Sequence, residues 1–230
     1  MQTTEPNIKE FRQGLLHWWV DNARDFPWRE NRSPYATAVA ELMLRRTRAA
    51  QVVPVYNSFL TAYPTLAAAV SASPQDLKEI LRPLGLEWRA DNMVAFFDEA
   101  FSRFGEELPE DIITLRTLPG VGDYVGAAIA CFAGGQNIAL IDTNVVRVLG
   151  RVFGLNTAGE ARRRRDMREL AVVTVDPVAP ANYHYALLDF GAKVCVAVKP
   201  RCNVCPFAAA GQCDYYNLIT KVPAAGDGTH

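Results

Sequence analysis

The chain has 230 residues, half of them hydrophobic, 21% charged and 10% aromatic, which suits one large domain or two small ones and excludes low-complexity disorder. No stretch reaches the ~18 uninterrupted apolar residues of a membrane span, and the polar opening Met1-Gln2-Thr3-Thr4-Glu5-Pro6 is no signal peptide; the expected compartment is the cytoplasm, with no membrane partner. The net charge of −1 hides an asymmetry, with 8 Lys/Arg against 12 Asp/Glu over residues 33–141 and 10 against 6 over 142–201. A polyanion meets a local face rather than the global sum, so composition leaves nucleic acid open.

Helical patterning dominates the chain. Phe11, Leu15, Leu16, Trp18 and Trp19 suit an amphipathic opening helix in which His17 and the tryptophans serve packing. The turn Asp25-Phe26-Pro27-Trp28-Arg29 closes it. Ser33-Pro34 is a cap followed by proline at the first helical position, and it predicts a helix from Tyr35 to about Thr47 with Val39, Leu42, Met43 and Leu44 inward. Glu41 lies four residues before Arg45, the spacing of an exposed ion pair. Pro54, Pro64, Ser73-Pro74 and Pro83 punctuate short helices, and Leu108-Pro109-Glu110-Asp111 begins another.

Leu118-Pro119-Gly120-Val121-Gly122 then interrupts two helical stretches, 111–117 and 123–134. Glycines there permit either a plain inter-helix turn or a hairpin whose backbone N–H groups cradle a phosphate. Tyr124 follows as a half-buried packing residue. Asp142, ahead of the helical run Val145-Val146-Arg147-Val148-Leu149, is either an N-cap or a carboxylate kept ionised by the helix terminus to meet positive charge or orient water. Arg162-Arg163-Arg164-Arg165 reads as a solvated helix face. Cys131 reads as a small buried hydrophobe, and His184 takes no ligand role. Cys195, Cys202, Cys205 and Cys213 form a cluster that, in a cytoplasmic chain, predicts a metal or iron–sulfur site rather than disulfides. No alternating pattern requires a sheet and no fixed repeat occurs, so the fold class is all-α.

In order along the chain stand Phe26-Pro27-Trp28-Arg29, Glu41-Leu42-Met43-Leu44-Arg45-Arg46-Thr47, the glycine hairpin, Ile141-Asp142-Thr143-Asn144-Val145-Val146-Arg147-Val148, Leu188-Asp189-Phe190-Gly191-Ala192 and the four cysteines. Together, from about Asp25 to Tyr215, they resemble the helix–hairpin–helix DNA glycosylases of the endonuclease III/MutY class. The resemblance implies a two-lobed helical fold: a six-helix barrel over 33–141 with the hairpin, a lobe of 1–32 plus 142–230 with a cluster loop at 195–213, and an active-site cleft between them. It implies a [4Fe–4S] cluster on Cys195, Cys202, Cys205 and Cys213, with structural zinc as the chemical alternative.

Bifunctional members carry a Schiff-base lysine two residues after the hairpin glycine. Tyr124 stands there, which implies a monofunctional enzyme. Glu41, Leu44-Arg45-Arg46-Thr47 and Tyr124 look most like the MIG-type thymine-DNA mismatch glycosylases, which remove T or U opposite G. The alternatives are an adenine glycosylase acting opposite 8-oxoguanine or G, for whose additional C-terminal domain the residues after Cys213 leave no room, and a non-catalytic damage-binding module.

The resemblance assigns catalytic roles to Asp142, Glu41 and Tyr124, and DNA contacts to Gly120, Val121, Gly122, Arg45, Arg46 and Leu86. The expected partner is duplex DNA with a mismatched or damaged base, met by a nucleoid-associated monomer. Two departures stand out. The last cysteine interval is seven residues where the family has five, implying a bulged loop. Asp123 occupies a position often basic in relatives, implying weaker phosphate affinity.

Overall fold

The computed structural model describes residues 7–85 and 87–221. Among the described residues the ordered elements are helical and no strand occurs, as the patterning predicts. In chain order the helices are α1 (Ile8–Val20), α2 (Pro34–Leu44), α3 (Ala49–Ala62), α4 (Leu66–Ser71), α5 (Pro74–Leu81), α6 (Glu87–Phe104), α7 (Ile112–Leu115), α8 (Asp123–Phe132), α9 (Thr143–Phe153), α10 (Arg165–Thr174), α11 (Pro180–Lys193), α12 (Pro206–Ala209) and α13 (Asp214–Lys221). None of the described helices is long and apolar enough to cross a membrane.

The chain divides into two compact units, residues 25–136 and residues 1–24 with 137–230. The division falls at 24/25 and 136/137 rather than at the expected 32/33 and 141/142. Aromatic packing accounts for the first shift. Trp28 is buried, stacks on Phe26 at 4.8 Å and meets Tyr56 of α3 edge-on at 5.5 Å, so this turn belongs with α2–α8. Buried His184 of α11 accounts for the second, since its Nε2 lies 2.9 Å from the Ile138 carbonyl and ties the segment leading to α9 into its own unit.

In the unit of residues 25–136, α2 is buried along nearly its whole length. Ser33 caps it by accepting the Ala36 amide at 3.2 Å, with Pro34 at the first position as the sequence predicts. The helix stops at Leu44, three residues short of expectation, because the chain reverses in a turn over Leu44–Thr47. In the other unit, Phe11 and Leu15 of α1 pack with Val148, Leu149 and Val152 of α9, Leu187 and Phe190 of α11, and Phe207 of α12. Asp189 is fully buried there. Its carboxylate accepts the Trp19 indole N–H at 2.9 Å, the Arg24 amide at 2.9 Å and Arg24 Nε at 2.5 Å, which fastens the end of the opening segment to α11.

Candidate active site

The glycine hairpin is a turn with a specific geometry. The Val121 amide donates to the Leu118 carbonyl at 3.1 Å, Pro119 occupies the second position, and Gly120 the third at φ 75°. This is the type II pattern, which requires a left-handed residue in third place and favours proline before it. A methyl group on Gly120 would meet Leu42 Cδ2 at 3.4 Å and Asn92 Cβ at 3.5 Å. Gly122 then starts α8 from an extended conformation with no side-chain cap, and a methyl group there would meet open space. A helix N-terminus left open in this way can bind an anion. Asp123, in the first turn, pairs with Arg116 at 2.6 Å across the hairpin.

The Leu44–Thr47 turn closes with a Thr47 amide bond to the Leu44 carbonyl at 3.2 Å. Arg45 has φ −60° and ψ 114°, and Arg46 follows at φ 56°. This is the same turn pattern, with arginine where glycine is normal. The two arginines part company. Arg45 is half-buried, donates from Nη1 to the Gly120 carbonyl at 3.1 Å and lies over the Trp88 ring at 5.2 Å. Arg46 is exposed. Leu86, the expected wedge, lies outside the described residues.

Glu41 is 7% exposed in the middle of α2, inside rather than at the surface, while Arg45 donates to the Gly120 carbonyl and lies over Trp88. Tyr124 is half-buried in the first turn of α8, as expected. Glu41, Tyr124, the hairpin and both turn arginines thus belong to one unit, and Asp142 to the other.

Asp142 is the N-cap of α9 and more than that. Its Oδ1 accepts the Val145 amide at 2.8 Å and its Oδ2 accepts Asn144 Nδ2 at 2.7 Å. The Asn144 side-chain oxygen in turn accepts Arg147 Nη2 at 2.8 Å, and Arg147 also donates to the carbonyls of Gly191 at 2.9 Å and Cys195 at 2.8 Å. Gly191 makes this possible: a methyl group there would lie 3.2 Å from Asn144 Cβ and 3.3 Å from Arg147 Nη2. Both carboxylate oxygens are therefore held, and a chain of hydrogen bonds leads from them to the first cysteine of the cluster.

Cys195, Cys202, Cys205 and Cys213 border one small cavity together with Phe190, Val194 and Tyr215. Arg151 clasps the loop, donating to the carbonyls of Val196 at 2.7 Å and Ala197 at 2.9 Å and stacking over Tyr215 at 4.9 Å. Burial pushes the Cys213 thiol up to about 11. Among the described residues no three His, Cys, Asp or Glu side chains converge to hold a single metal ion. The long last interval does not bulge loosely. It is taken up by α12, ended by Gly211 at φ 69° with the Gln212 amide returning to the Phe207 carbonyl at 2.9 Å.

The remaining sequence readings have plain outcomes. Cys131 is fully buried, and burial raises its thiol to about 12. The arginine run is paired along the surface, Arg162 and Arg163 with Glu160, Arg164 with Asp166 and Arg165 with Glu169.

Residues 39–171, more than half of the chain and spanning Glu41, the hairpin and Asp142, match the family model of the HhH-GPD superfamily base excision DNA repair proteins. The chain belongs to this superfamily. It is 38% identical over 220 residues to a thymine/uracil-DNA glycosylase of Pyrobaculum aerophilum, covering 93% of this chain and 94% of that one. A thymine-DNA glycosylase of Aeropyrum pernix is 37% identical, with 91% and 96% covered. An adenine DNA glycosylase of Mycobacterium tuberculosis is also 37% identical, but the match spans only 64% of its length. The solved structure of a thermostable thymine-DNA glycosylase superposes with a TM-score of 0.83 at 30% identity, over 92% of this chain and 97% of that one. The fold is that of the helix–hairpin–helix glycosylases.

Sequence reasoning missed three side chains in this HhH-GPD protein. Asn144 and Arg147 were legible only as members of a helical motif, although their spacing after Asp142 puts them on one helix face. Arg89 of α6 was not singled out. It is 2% exposed, and its Nη1 donates to the Met43 carbonyl at 2.9 Å and to Thr47 Oγ1 at 2.8 Å. The signal was available: Arg89 stands in register with Met93, Phe96, Phe97 and Ala100, the buried stripe of α6.

Proposed function

We propose that this chain is a monofunctional DNA glycosylase that removes thymine, or uracil, opposite guanine from duplex DNA and leaves an abasic site. Two acids carry the reading. Glu41 is sealed in an apolar helix and Asp142 has both oxygens held, and DNA binding alone requires neither. The names of two relatives matched over nearly their whole length supply the base. Tyr124 supports hydrolysis without strand cleavage, because a phenol cannot form the imine that a lysine forms at this place.

Extruding the nucleotide costs a few kcal/mol, least at a mismatch. In this reading the Gly120 and Gly122 amides grip a backbone phosphate, the Val121 N–H being used by the turn itself, while Arg46 fills the vacated stack and Leu86 wedges the opposite strand. The base lies against Tyr124. Glu41 hydrogen-bonds the departing base and supplies its proton as the C1′–N1 bond breaks. Asp142 faces the oxocarbenium-like sugar and takes a proton from the water that forms the new C1′–O bond.

Four cysteines lining one cavity fit a [4Fe–4S] cluster, for which four thiolates suffice, with a tetrahedral structural zinc as the chemical alternative. The cluster would be held by Cys195, Cys202, Cys205 and Cys213 and would shape the loop carrying Lys199 and Arg201. A brown protein with iron is the expected preparation; a colourless, zinc-stoichiometric one made without oxygen contradicts it.

The deciding experiment incubates the protein with T, U, A, hypoxanthine and damaged bases opposite every partner, with and without alkali. Excision of T and U opposite G, with strand breaks only after alkali, is the expected result. Preference for A opposite 8-oxoguanine would make it an adenine glycosylase, and binding without excision a damage-binding module.

A further inference from the structure

A buried guanidinium with no ion pair among the described residues needs a reason. Arg89 spends only one of its nitrogens, Nη1, on the Met43 carbonyl and the Thr47 hydroxyl. Its Nε and Nη2 are buried with no hydrogen-bond partner among the described residues. Burial, and the like charge of Arg45, lower its pKa. An apolar side chain of similar volume would fill this place in the α6 stripe at less cost to the fold.

What Arg89 touches is informative. Met43 immediately precedes the Leu44–Thr47 turn and Thr47 is its last residue, so one guanidinium holds both flanks. Inside the turn Arg46 keeps a left-handed backbone that non-glycine residues retain only where their surroundings over-determine it. Arg45, folded onto Trp88 and Gly120, anchors the turn from within. Arg46 is exposed.

We infer that Arg89 is the positioning residue for Arg46, clamping both ends of the turn so that the exposed arginine is presented ready to enter the base stack. This rests on the reading of Arg46 given under the proposed function. It also separates stability from function: Arg89 is kept for the turn it shapes, not for the core it occupies.

A double-mutant cycle on the full chain tests it, with Arg46→Ala, Arg89→Met and the pair. The readout is base extrusion, followed by the fluorescence of 2-aminopurine placed beside the thymine of a T·G duplex. Each single substitution is expected to lower the extrusion equilibrium about tenfold, or about 1.4 kcal/mol, and the double to be no worse than either single. The melting temperature of Arg89→Met should stay level or rise. A hundredfold, additive loss in the double would overturn the inference. Where Arg89→Met fails to fold, Thr47→Val removes one acceptor instead. Its loss, about threefold, should vanish in the Arg46→Ala background and would persist there if the inference is wrong. Excision by the wild type is scored separately. Excision with an additive cycle sinks only this inference, and a coupled cycle without excision sinks only the glycosylase reading.

Discussion

Two turns of one geometry lie side by side in the unit of residues 25–136, and they are stabilised in opposite ways. Leu118–Val121 has proline in second place and glycine in third, so its backbone costs little, and it leads into α8 through Gly122 with no side-chain cap. Leu44–Thr47 puts arginine in both places and is held from outside by Arg89, Trp88 and the Gly120 carbonyl. The left-handed arginine costs about 1–2 kcal/mol that a glycine would not. The first turn is built for its backbone and the second for a side chain. In the proposed reading the strained turn is the one that carries the residue entering the DNA, Arg46, which fits local strain serving a site rather than the fold.

That contrast can be broken by exchanging what each turn depends on. Gly120→Val should be the most damaging change, because a branched residue at φ 75° sits 3.4 Å from Leu42; a loss of about 2–3 kcal/mol in urea unfolding is expected. Arg46→Gly should do the reverse, raising stability by up to about 1 kcal/mol in thermal melts while weakening binding to mismatched DNA. If Arg46→Gly left DNA binding intact, the second turn would have lost its purpose. Asp123→Asn should change stability by less than about 0.5 kcal/mol, since its pairing with Arg116 is mostly in water. It should raise affinity for duplex DNA at low salt only, by removing a negative charge from beside the hairpin.

The first of these turns was legible in the sequence and the second was not. Pro119-Gly120 announces its own conformation, and Ser33-Pro34 announces a helix start, because those residues restrict the backbone by themselves. Nothing about Arg45-Arg46 predicts a left-handed turn, so α2 was expected to continue to Thr47. Only the tertiary partners on α6 and the hairpin impose the reversal. Glu41 shows the same limit: its spacing to Arg45 suits a residue on the surface, and only the burial of α2 on nearly every face puts it inside. Asp142 as an N-cap was readable from its position. The onward hydrogen bonds through Asn144 and Arg147 to Cys195 were not, because they close over 48 residues.

Everything in the proposed chemistry depends on the Asp142 carboxylate. The most direct test is single-turnover release of thymine from a T·G duplex by Asp142→Asn, measured beside equilibrium binding of the same DNA. Asparagine keeps the cap to Val145 and removes the charge, so excision should fall about 10³-fold with binding unchanged. Excision within a few-fold of the wild type would show that this carboxylate does not act on the sugar.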